Sequence, residues 1–220
     1  MGKNIRKGIE ITNERGVISR SGPAFHTPSE FALANLYYVI WSDEYTCNRA
    51  YRVTHDYLEN YSVIYVMEGS MEFVYEGEIT VVGSREAFLL DFRKEHYYRS
   101  LSDEMVKWEI IFNGAASEAY YSLITETWGN KFSVDSRAAA VINMLRGELD
   151  QPLPRDHRLS YLMQLLFCAI LEQHTGDFSP EIKKAVQYIY ENYAEDLRVE
   201  DIADYVSLSR SWFSKLFSKE

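Results

Sequence analysis

The sequence has little of what most chemistry-bearing folds require. Its two cysteines, Cys47 and Cys168, sit among apolar or neutral neighbours without ligand spacing. That excludes a disulfide scaffold and a zinc motif, and fits a reducing, cytoplasmic compartment. None of its five histidines lies two positions from another, so no paired-histidine metal set is present. There is no nucleophile elbow and no phosphate loop, so neither an enzyme nor a cofactor is expected. No apolar run reaches the ~18 residues of a membrane span, and the N-terminus has no signal-like core. No membrane partner is expected. Positive charge is also short: 23 Lys and Arg stand against 33 Asp and Glu, a net charge of −10. Nucleic-acid binding is therefore not the dominant property of the surface.

What is present is length and aromatic content. At 220 residues the chain makes one large or two modest domains with a real core. Aromatics reach 15%, with 17 tyrosines, which suits a β-rich domain or a lined pocket.

Residues 1–21 scatter Lys3, Arg6, Lys7, Arg15 and Arg20 among glycines, as a flexible arm leading to a strand near Gly16. From Ala32 the pattern is that of strands. Leu36–Asp43 and Cys47–Tyr57 come first. Tyr61–Phe92 is a meander punctuated by glycine turns at Gly69, Gly77 and Gly83, and Met105–Phe112 closes the set. Short strands at this spacing predict a sandwich or small barrel over 22–114. After Gly114 the period lengthens to that of helices, at Ala116–Gly129, Val134–Leu149 and Asp156–Thr175, within a helical segment 115–175. The last of these carries a wide stripe of Leu159, Leu162, Met163, Leu166, Phe167 and Ile170. Residues 176–180 form a linker, with Ser179 and Pro180 opening the next helix.

The C-terminal stretch, within 181–220, reads as two short helices around a turn. Ile202, Ala203 and Val206 give the first an apolar edge, and Ala203 is small enough for a close helix crossing. Ser207 and Leu208 make the turn, and Ser209 caps the second helix. Trp212, Phe213, Leu216 and Phe217 share one face of that helix. Arg210, Ser211, Ser214, Lys215 and Ser218 share the other, as a recognition helix would require. The same pattern also occurs in all-α domains with no DNA role.

This stretch resembles the first helix-turn-helix of the AraC family of transcription regulators, on Ile189, Asn192, Tyr193, Leu197, Val199, Ile202, Ala203, Ser209, Phe213, Leu216 and Phe217. The meander resembles the double-stranded β-helix, or cupin-like, domain of the same family. There the matching residues are Arg52, Tyr65–Gly69, Phe88–Leu90, His96 and Trp108–Gly114. The resemblance implies an α+β chain: a cupin-like barrel that senses a small molecule, then a helical segment, then an all-α DNA-binding unit. It implies homodimerisation through helices within 134–175. It implies base contacts from Ser211, Ser214 and Lys215, with Arg210 and Lys219 nearer to phosphate. It also implies a second helix-turn-helix, so the sequence ending at Glu220 is expected to be a truncated piece that binds DNA weakly by itself.

For the effector, Trp41, Arg52, Tyr65, His96, Trp108 and Glu109 are the expected lining, being polar or amphipathic residues on strands where a core would use Val or Leu. Aromatic faces suit a sugar ring. A metal set from His55, Glu72 and His96 lacks the spacing of metal-dependent cupins and is not expected. The competing readings are a cupin enzyme with a helical tail, or a binding module without a DNA role.

Overall fold

Side-chain alternation decides which of two cores each strand serves. The computed structural model describes residues 15–55, 57–173, 178–193 and 195–219. The chain divides into two compact units between Leu171 and Glu172. Residues 1–14, most of the expected arm, and 176–177 of the expected linker lie outside the described residues.

In the first unit, β1 (Val17–Phe25) is followed by a short helix, α1 (Glu30–Asn35). Eight strands follow: β2 (Tyr37–Cys47), β3 (Arg52–His55), β4 (Tyr61–Glu68), β5 (Ser70–Tyr75), β6 (Glu78–Gly83), β7 (Glu86–Asp91), β8 (His96–Ser100) and β9 (Met105–Gly114). Then come α2 (Ser117–Trp128), β10 (Lys131–Ser133), α3 (Ser136–Leu149) and α4 (Asp156–Glu172). All strand pairs are antiparallel. One sheet runs β1-β2-β9-β4-β7-β10 and the other β3-β8-β5-β6. The class is α+β, with a cupin-like barrel.

Strand β1 begins inside the segment expected to be an arm, because residues 17–21 pair with β2. Helix α1 and strand β10 carry too few residues to show a period. Ser29 caps α1 through its hydroxyl, which accepts from Ala32 N at 3.2 Å. Gly69, at φ 78°, lets β4 turn into β5, where an added Cβ would come within 2.9 Å of the Glu104 carbonyl oxygen.

Between the two sheets lies one core: Ile40, Trp41, Tyr45, Ile64, Phe88 and Ile111 from the large sheet, with Met71, Phe73, Val82 and Tyr98 from the small one. Phe73 stacks on Phe88 with ring centres 4.4 Å apart. The other core lies between the outer face of the large sheet and helices α2, α3 and α4. Here Val39, Val63, Leu89, Trp108, Ile110 and Phe112 meet Ile124, Leu145, Leu162 and Phe167. Each such side chain contributes about 1.5–3 kcal/mol by leaving water. The wide stripe of α4 is consumed in this packing, so its width carries no argument for a dimer.

Asp135 caps α3, accepting from Arg137 N and Ala138 N. Glu148 fastens the end of α3 to the start of α4, accepting from Arg155 Nη2 at 2.7 Å and from Arg155 N at 2.9 Å. Among the described residues no helix is long and apolar enough to cross a membrane.

The second unit comprises α5 (Pro180–Asn192), α6 (Val199–Tyr205) and α7 (Arg210–Lys219). Ile182, Ala185, Ile202, Ala203, Val206 and Phe213 form its core.

Candidate functional site

The six residues expected to line the barrel divide between two faces and the surface. Trp41, His96 and Glu109 face the interior. Trp108 and Tyr65 point the other way, into the core against the helices. Arg52 is exposed on β3, while its neighbour Val53 packs inward. The reason is strand geometry. Successive side chains alternate, so Trp108 and Glu109 cannot share a face. Of the conceivable metal set, Glu72 lies on the outer face and accepts from Arg99 Nε at 2.7 Å, away from His96. The side chain of His55 lies outside the described residues.

The interior of the barrel holds a charged cluster that composition gives no reason to expect. Lys107 and Glu109, two apart on β9, both point inward, and Lys107 Nζ donates to Glu109 Oε2 at 2.5 Å. Ser62 Oγ donates to the other oxygen of Glu109 at 3.2 Å. The Lys107 ammonium lies 4.7, 5.4 and 5.3 Å from the ring centres of Tyr45, Tyr51 and Tyr98. Burial acts to lower the pKa of this lysine; Glu109 and the three tyrosines outweigh it and hold it well above the ordinary lysine value. Burial also pushes the Tyr51 hydroxyl up to about 12.

Beside this pair, Arg20 of β1 donates to Asp43 Oδ2 of β2. Its guanidinium lies 5.0 Å from the Tyr45 ring centre. His96 stacks between Phe92 and Tyr98, its Nδ1 2.8 Å from the Lys94 carbonyl oxygen. Burial lowers its pKa, which favours a neutral ring. Lys107, Asp43, Arg20 and the three tyrosines were not among the expected residues. The signal available was the alternation Met105, Lys107, Glu109, Ile111, which places a lysine on the inward face.

In the second unit the helix-turn-helix is built as the serines require. Val206 closes α6, and Ser207 adopts a φ of 59° to reverse the chain. Leu208 N donates to the Ala203 carbonyl at 2.9 Å. Ser209 Oγ then accepts from Trp212 N at 3.3 Å, capping α7. Ser211, Ser214 and Lys215 are exposed. Arg210 is held by Glu200 of α6 at 2.7 Å, so its guanidinium is partly committed within the unit. The side chain of Lys219 lies outside the described residues. Contrary to expectation, Trp212 and Phe217 are not buried with Phe213. They are 55% and 43% exposed, because α5 and α6 cover only the Phe213–Leu216 edge.

No family model matches the chain. Regulatory protein PocR of Salmonella typhimurium is 51% identical over 39 residues, which is 18% of this chain and 13% of PocR. Over those 39 residues the chain is similar to PocR. In this chain the barrel precedes the helix-turn-helix, and the segment shared with PocR spans only a small part of that protein. ToxT of Vibrio cholerae, solved with (E)-4-(8-methylnaphthalen-1-yl)but-3-enoic acid, is 13% identical over 84% of this chain and 76% of that one, with a TM-score of 0.43. The cupin domain of an XRE-family transcriptional regulator from Enterobacter cloacae is 16% identical over 44% of this chain and 96% of that one, with a TM-score of 0.34.

Proposed function

We propose that this chain is the sensing and DNA-reading part of a ligand-responsive, sequence-specific transcription regulator of AraC type, and not an enzyme. The observation that carries the reading is the Ser209-capped helix α7, which exposes Ser211, Ser214 and Lys215 beside one another. In this reading α7 enters a major groove, where the Ser211 and Ser214 hydroxyls and the Lys215 ammonium donate to base edges. Arg210 and Lys219 serve phosphates in this reading, Arg210 after leaving Glu200. The net charge of −10 limits non-specific attraction, so affinity must come from base contacts.

In the same reading the barrel binds a small-molecule effector, for which its aromatic interior suits a sugar ring among other chemistries. Trp41, His96 and Glu109 remain in the lining, joined by Asp43 and Lys107. The regulator acts in the cytoplasm, as a homodimer through the helical segment 134–175. With the stripe of α4 buried on the sheet, the dimer surface in this reading is the outer side of α3 and α4, where Met144 and Tyr161 are exposed.

The test is selection from a pool of randomised DNA duplexes by the natural protein that carries this chain. Enrichment of one sequence supports the reading. Retention of duplexes without sequence preference contradicts it.

A further inference from the structure

Two hollows of about 480 and 630 Å³ adjoin where α3 ends and α4 begins, and Arg155 and Arg158 border both. Met144 and Gly147 lie in the first, Tyr161 and His157 in the second. The one carboxylate in the lining, that of Glu148, is already engaged by Arg155. The Arg155 side chain nevertheless stays 70% exposed. Arg158 makes no ion pair among the described residues, and its guanidinium lies 5.4 Å from the Tyr161 ring centre. On a chain of net charge −10, the groove is a local excess of positive charge.

Gly147 stands inside α3, where glycine weakens a helix relative to alanine. Packing gives no reason for it, since an added Cβ would meet nothing within 4 Å. Its effect is to leave the helix backbone bare on the floor of the groove, open to close approach by another chain. Met144, one turn earlier on the same face, is 40% exposed, and Tyr161 is 52% exposed. Methionine, tyrosine and arginine are residue types enriched where proteins meet. Both hollows open broadly to solvent. A small molecule would stay largely in water there, whereas ligand sites bury roughly 70–90% of their occupant. A second copy of this chain is no better an occupant. A two-fold contact centred on the groove would set Arg155 and Arg158 against their own copies. A homodimer through these helices therefore has its axis elsewhere along them.

We infer that this groove docks an acidic segment of a partner protein. Carboxylates of the segment pair with Arg155 and Arg158, and an apolar side chain lies on Gly147 beside Met144. The surface is outside both the barrel interior and α7, so the inference stands apart from the effector and DNA readings.

The test is selection of a phage-displayed library of random peptides on the whole chain, followed by anisotropy titration of the enriched peptides carrying a fluorescein label. Peptides that combine Asp or Glu with a large apolar residue are expected. Arg158→Glu should weaken their binding about tenfold, the size of one lost hydrogen bond to a charged group. Gly147→Gln puts a better helix former into α3, so the fold is kept while the new side chain fills the groove. It should weaken binding several-fold without lowering the melting temperature. Enrichment of neutral or basic peptides, acidic peptides that bind both variants as well as the parent, or no enrichment at all overturns the inference. Self-association of the parent in sedimentation that Arg158→Glu abolishes also overturns it, since a second copy is then the occupant. Displacement of the peptides by random-sequence duplex DNA at physiological salt overturns it too, and assigns the groove to nucleic acid.

Discussion

Lys107 and Glu109 face each other across 2.5 Å in the interior of the barrel, both screened from solvent. A buried ion pair costs desolvation on both sides, and the attraction between its members offsets that only while both are present. Three tyrosine rings around the ammonium and the Ser62 hydroxyl on the carboxylate complete its surroundings.

Removing one member should therefore cost more than removing both. Lys107→Met or Glu109→Gln alone should lower the unfolding free energy by about 3–5 kcal/mol, whereas the Lys107→Met, Glu109→Leu double variant should recover most of the loss. Urea titration of the barrel's tyrosine fluorescence measures this. A single variant within about 0.5 kcal/mol of the parent would show that the pair contributes nothing.

The join between α3 and α4 should make stability depend on acid. The Arg155 side chain, hydrogen-bonded to Glu148, holds the Glu148 carboxyl at about 2, below its ordinary 4.5. A carboxyl with a lowered folded-state pKa contributes stability that is complete above the ordinary value. That contribution is lost as pH falls through the folded-state value. Glu148→Gln should therefore lose stability at neutral pH and show a shallower decline between about pH 4.5 and pH 2. Parallel slopes for the two proteins in acid titration followed by circular dichroism would contradict the assignment.

Ala203 is buried where α6 meets the rest of the second unit, and it accepts from Leu208 N. Ala203→Leu should overpack this site and cost about 1–3 kcal/mol. Ser209→Ala removes the cap of α7 and should cost about 0.5–2 kcal/mol. Hydrogen exchange in α7 should accelerate in both variants while the barrel strands remain as protected as before. Acceleration spread evenly over both units would argue against separate folding of the second.

Much of this architecture was legible in the sequence, because its signals are local. Glycines at the β4–β5 and β5–β6 turns, the change of period after Gly114 and the Ser209 cap each act within a few residues. The site was less legible because it depends on strand phase. Trp108 and Glu109 are neighbours on one strand and so lie on opposite faces, and Tyr65, paired across from Trp108, lies on the helix side with it. Lys107 is hard to read as an interior residue because lysine is rarely fully buried, and only its partner two residues on makes that burial tolerable. The exposure of Trp212 and Phe217 was not legible either, since periodicity gives a face and not what covers it.

The most direct test of the central claim is the affinity of the natural protein, parent and Lys215→Ala, for the duplex that selection enriches. If Lys215 reads a base, the variant should lose about 1–3 kcal/mol on that duplex and relax its preference at one position. Unchanged affinity and unchanged preference would contradict the assignment of α7 as the reading helix.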